Sequence, residues 1–194
     1  SEAQILLDRF SDRKSKSSWR LSFAIARFGD YDPEQRLKLY SELVQVSDVN
    51  QSIVFKEVVS LLKSYYPDPV RLVKLQDWYQ KYHHRTLGKD VAKVLVNLQY
   101  YREAYDIYSD FIRYNPDDIE LIIDKAIIGY RFLGKIESSL DTFNQAFEGV
   151  SDQNNSLKVM ILIHRGSIYL RKNNFRKAHD DFFEAVILSD KDSD

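Results

Sequence analysis

Apolar residues recur at intervals of three and four along nearly the whole chain, and no stretch alternates apolar with polar over any length. That interval is helical, because one face of an α-helix repeats every 3.6 residues and a half-buried strand every two. The breaks between periodic stretches carry turn chemistry. Gly29-Asp30-Tyr31-Asp32 precedes Pro33, and Pro67-Asp68-Pro69 and Asn115-Pro116-Asp117-Asp118 divide later runs. Gly134 and Asn173-Asn174 mark two more turns. Proline ends a helix and is well placed at the first position of the next, with Asp before it as a cap. The pattern predicts ten main helices in five pairs: 17–28 with 33–46, 52–66 with 69–83, 87–98 with 101–114, 119–132 with 136–148, and 157–171 with 175–189. Residues 1–16 are expected to hold a short leading helix and a polar link, and the final DKDSD to fray.

Several of these helices share a device. Asn173 to Ile187 reads NNFRKAHDDFFEAVI, with Ala178 and Ala185 flanking Phe182. Ala104, Tyr108 and Phe111 stand at the same spacing in YYREAYDIYSDFI, and Ser139, Phe143 and Ala146 in GKIESSLDTFNQAF. The leading small residues are 35 and 39 positions apart. A period of about 20–50 residues marks stacked units, each too small to bury its apolar face alone. Ala104 and Ala178 are therefore expected where the second helix of a pair crosses its first. Phe143, Phe182 and Tyr108 are expected to fill the space between neighbouring pairs.

The last three pairs resemble tetratricopeptide repeats. The fifth carries Leu162, Gly166 and Tyr169 on its first helix and Phe175, Ala178, Phe182 and Ala185 on its second. The third carries Ala92, Leu95, Tyr101, Ala104, Tyr108 and Pro116, and the fourth Tyr130, Gly134, Phe143 and Ala146 with Ser139 in place of Ala. The resemblance covers 85–189; over 17–84 the pairing persists, but only Trp19, Gly29, Tyr31 and Tyr40 partly match. It implies an all-α, right-handed α-solenoid of about five helix pairs, continuous over 17–189.

Composition narrows the function. Cysteine is absent, which removes disulfides, thiol chemistry and cysteine-based metal sites, and fits an intracellular, cytoplasmic or nuclear setting. The net charge of −1 gives no general pull toward nucleic acid or anionic membranes, although the first half is basic and the second acidic. No apolar run reaches the ~20 residues of a membrane span. Adjacent His83 and His84 diverge on a helix, and His164 and His179 stand apart, so no metal site is expected. Asp180-Asp181 reads as a solvated face. No nucleophile elbow or phosphate-binding loop occurs, and neither enzyme activity nor a cofactor is expected. The many tyrosines beside Lys and Arg admit a nucleic-acid-binding helical repeat as an alternative, but they also suit the seams of stacked helices.

What remains is surface. The resemblance implies a concave groove, lined by the first helices of successive pairs, that holds a peptide or helix of a protein partner. Its candidates are Lys89, Lys93 and Asn97, then Leu121, Asp124, Ile128 and Arg131, then Ile163, Ser167 and Arg171. Leu121, Ile128 and Ile163 are expected as an apolar floor, more exposed than core residues. A co-chaperone-like receptor for an acidic C-terminal peptide is a further alternative. Here Lys93 follows Lys89 where that branch has Asn, and Met160 and His164 replace its last basic pair. On the closing helix, Phe175, Ala178, Phe182, Ala185 and Val186 are expected to pack on the partner helix. Phe183 and Ile187 are left as an end-face interface for further repeats or another chain, as in an excised part of a longer protein.

Overall fold

The computed structural model describes residues 18–46, 49–151 and 153–190, apart from the side chains of Ser18, Trp19 and Leu21. The expected leading helix and the tail beyond Asp190 lie outside them. Among the described residues there are ten helices and no strand. The chain divides into two compact units, Ser1–Leu98 and Gln99–Asp194. The division falls between the two helices that the sequence pairs third.

The first unit holds α1 (Ser18–Phe28), α2 (Pro33–Leu43), α3 (Gln51–Tyr65), α4 (Asp68–Tyr82) and α5 (Arg85–Asn97). The start of α2 follows from its sequence. Asp32 Oδ1 accepts from the Gln35 N–H at 2.9 Å, Gln35 Oε1 accepts from the Asp32 N–H at 3.2 Å, and Pro33 needs no donor there. Just before it, a Cβ on Gly29 would lie 2.5 Å from the Ile25 carbonyl oxygen and the Tyr31 ring, so only glycine fits the turn. His83 and His84 serve the α4–α5 turn. His83 takes a left-handed φ of 47°. His84 caps α5 by accepting from the Thr86 N–H at 3.2 Å, with its ring 4.4 Å from that of Phe55. Helix α5 packs on both α4 and α3, and Val54, Phe55, Leu62, Leu75, Leu87 and Val91 fill the space between them.

The second unit holds α6 (Tyr101–Tyr114), α7 (Ile119–Phe132), α8 (Ile136–Gly149), α9 (Asn155–Arg171) and α10 (Phe175–Asp190). Each helix packs on the next, and α7 also touches α9. The small residues lie where helices meet. Ser139 Oγ of α8 donates to the Ala126 carbonyl of α7 at 3.0 Å, and a Cβ on Gly129 would stand 2.9 Å from that hydroxyl. Ala104, Ala146, Ala178 and Ala185 are all buried. Phe143 does bridge neighbouring pairs. Its ring meets Tyr130 of α7 edge-on at 6.1 Å and stacks on His164 of α9 at 6.0 Å. Phe182 does not. Its ring lies against Gly166 of its own pair, where an added Cβ would sit 2.8 Å away. The missing side chain at Gly166 opens the hollow that the ring fills, so Phe182 is used inside its pair.

Candidate functional site

The expected groove residues divide between the units. On α5, Lys93 and Asn97 are exposed and Lys89 is half-buried. Asn97 Nδ2 donates to Asp68 Oδ2 at 3.0 Å, and Asp68 also pairs with Arg71 at 3.0 Å. Beneath them Arg71 is buried, and burial raises the pKa of Asp90 against the pull of Arg71 and Lys93.

On α7 the expected apolar floor is corrected. Leu121 is 0% exposed and Ile128 5%, so both belong to the core. The reason is that α7 is enclosed by α6, α8 and α9, which use up its aliphatic side chains. Arg131 stays exposed and Asp124 half-buried. On α9, Ile163 is 44% exposed, as a floor residue should be, and Leu170 is equally open. Ser167 Oγ bonds back to the Ile163 carbonyl at 2.7 Å. Arg171 is held in place, with Nη1 donating to the Tyr130 carbonyl at 2.9 Å and its guanidinium 5.3 Å from that ring's centre. The α7–α9 side of this unit thus presents Ile163 and Leu170 beside Arg131 and Arg171.

His164, which stands alone in sequence, is a junction in space. Nδ1 lies 2.9 Å from the Tyr130 hydroxyl, and burial, with Arg131 nearby, pushes its pKa down to about 4. The folded state therefore holds it neutral, whereas an unfolded histidine titrates near 6.5. Stability from this residue is complete above about pH 6.5 and is lost as pH falls from there to about 4. His164→Gln is expected to flatten the pH dependence of urea unfolding in that window. An unchanged slope would show that His164 is not the titrating group.

Asp181 is a second site that spacing alone did not reveal. The sequence places Asp180-Asp181 on a solvated face, and Asp180 is exposed, but Asp181 is buried. Arg165 grips it with Nη2 at 2.6 Å and Nε at 2.9 Å, while Nη1 reaches Asn144 Oδ1 at 3.4 Å. The fork geometry is that of a bidentate pair, and it ties α9 to both α8 and α10.

The first unit contains a cleft of about 500 Å³ between α1, α2 and α3. Arg27, Arg36, Glu57 and Ser64 line it, and the open rings of Phe28 and Tyr65 stand at its edge. Arg27 Nε lies 3.4 Å from Glu57 Oε2, and its guanidinium is 5.2 Å from the Phe28 ring centre. Arg36 Nη2 donates to the Gly29 carbonyl at 3.1 Å. Tyr40 forms the base, its pKa pushed up to about 12 by burial and then by Glu57. Two guanidiniums face one carboxylate, so the cleft is net positive. Nothing in the spacing of these residues announced it, because the repeat signature fades over this part of the chain.

On α10, Phe183 and Ile187 are exposed as expected. Phe175 and Val186 are exposed too, which corrects their placement against α9. Ala178, Asp181 and Ala185 are the buried residues of α10, and Phe182 and Leu188 are half-buried. Among the described residues no group of three or more His, Cys, Asp or Glu is placed to hold a metal ion, and no helix is long and apolar enough to cross a membrane.

No family model and no curated protein matches the sequence. Solved structures do match the fold. The MamA RS-1 ArsTM double mutant aligns over 94% of this chain and 98% of its own, at 17% identity and a TM-score of 0.64. MamA 41-end from Desulfovibrio magneticus RS-1 aligns over 92% and 97%, at 15% identity and a TM-score of 0.63. YrrB, described as a TPR protein with an unusual peptide-binding site, aligns over 96% and 93%, at 13% identity and a TM-score of 0.64. The fold is the all-α helical repeat of tetratricopeptide-repeat proteins. At these identities the likeness is one of fold.

Proposed function

We propose that this chain is a non-catalytic interaction module that holds a peptide segment of a protein partner in the α1–α3 cleft. The observation that carries the reading is the cleft itself: an open, net positive recess with aromatic rings at its edge. Such a recess suits an extended segment that carries a carboxylate for Arg27 or Arg36 and an apolar side chain for Phe28 and Tyr65. Exposed Arg131, Ile163 and Arg171, with half-buried Ser167 on the same helix as the last two, offer similar chemistry in the second unit. Lys89, Lys93 and Asn97 offer cations and an amide on α5. YrrB's peptide-binding site gives the fold a precedent for this use.

Display selection against the intact chain is expected to enrich peptides with an acidic residue near an aliphatic or aromatic one. Arg36→Ala, which removes a charged donor, is expected to weaken the selected peptides by tenfold or more, since such a bond contributes about 1.5–3 kcal/mol. Ser64→Arg, which fills the recess from its exposed side, is expected to block them without lowering Tm. Selected peptides that bind Ser64→Arg as well as the parent would move the site elsewhere.

A further inference from the structure

The second unit contains its own template for what covers α10. Helices α8 and α10 occupy the same place in successive pairs, at an offset of 39 residues. Ser139, Phe143 and Ala146 correspond to Ala178, Phe182 and Ala185, and both sets are buried or half-buried. The same offset takes Ile136, Leu140, Asn144 and Phe147 of α8 onto Phe175, His179, Phe183 and Val186 of α10.

The two faces meet different fates. On α8 this face is covered by α9. Ile136, Leu140 and Phe147 share one apolar cluster with Leu157 and Ile161 of α9. Asn144 accepts from Arg165, whose guanidinium lies 4.9 Å from the Phe147 ring centre. At the end of the contact Lys172 reaches Glu137 at 2.6 Å. On α10 the matching face is open: Phe175 is 65% exposed, Phe183 60% and Val186 58%. Three neighbouring apolar side chains left in water form the kind of patch that marks an interface.

We infer that this face docks an amphipathic helix of a partner protein, seated on α10 as α9 is seated on α8. Where the two faces agree, the partner must resemble α9, with aliphatic side chains at the places of Leu157 and Ile161. Where they differ, the partner must differ too. Phe183 replaces Asn144, so the place of Arg165 takes an apolar residue rather than a cation. Arg176 replaces Glu137, so the place of Lys172 takes a carboxylate. The partner helix therefore carries an aliphatic stripe at i, i+4 and i+8 and an acidic residue near its C-terminal end. A second copy of this chain has no such helix to offer among its described residues. The face of α9 is occupied within the unit. The exposed side of α10 runs Phe175, His179, Phe183 and Ile187 at that spacing, with aromatic rings and a histidine in place of an aliphatic stripe. Exposed aliphatics on the other helices come singly or in pairs, such as Ile53, or Val70 with Val73. The inference stands apart from the cleft, which lies in the other unit.

A labelled peptide of residues 155–172 bearing Arg165→Leu and Lys172→Glu is the probe, titrated with the whole chain by fluorescence anisotropy. Saturable binding is expected, weakened tenfold or more by Phe183→Asp and, separately, by Val186→Asp. Both side chains are more than half exposed, so the melting temperature of either variant should match the parent's. The peptide without the two changes is expected to bind more weakly. Absence of saturable binding, or binding that both variants leave intact, overturns the inference. Self-association of the chain in sedimentation velocity that Phe183→Asp abolishes would replace the partner helix with a second copy, and so overturns it as well.

Discussion

Phe143→Ala is expected to destabilise the chain by about 3–5 kcal/mol, the range for deleting a fully buried aromatic ring. The ring is 0% exposed and touches three helices at once: it is carried by α8 and contacts Tyr130 of α7 and His164 of α9. Its loss leaves a cavity that none of the three can collapse into without breaking the Tyr130–His164 contact. Urea unfolding followed by circular dichroism reads the change directly. A loss under about 1 kcal/mol would mean that the three helices close over the gap, and that the seam is looser than the structure makes it.

Asp181→Ala is expected to cost a similar amount for a different reason. Arg165 would keep its charge with its main acceptor gone, and breaking a buried pair from one side costs about 3–5 kcal/mol. Asp180→Ala, one residue away but exposed, should stay within about 0.5 kcal/mol. Replacing both partners, as Arg165→Met with Asp181→Leu, should recover most of the loss, because no charge is then left behind. Equal effects at Asp180 and Asp181 would show that the pair is not buried in solution.

Much of this fold is legible in the sequence, and the reasons are local. Pro33, Pro67, Gly134 and Asn173-Asn174 punctuate the chain wherever a helix must turn, and small residues at a steady spacing point to close helix crossings. Among the described residues the structure agrees on these ten helices, each within a few residues of its expected limits. Other features were not legible, because they depend on which helix faces which. Leu121 and Ile128 lie on a first helix, as groove residues would, but the three helices around α7 bury them. Phe182 has the spacing of a residue between pairs, yet Gly166 draws it inward. His164 and Asp181 appear isolated in sequence because Tyr130 and Arg165 lie 34 and 16 residues away. The cleft is built from ordinary surface residues on three helices, with no motif to mark it.

Hydrogen–deuterium exchange of the intact chain, with and without a display-selected peptide, tests the interaction reading most directly. The expected result is slowed exchange along the facing stretches of α1, α2 and α3, around Arg27, Arg36 and Ser64, that is lost in the Ser64→Arg variant. Protection confined to the opposite surfaces of these helices, or none anywhere at saturating peptide, would contradict the account.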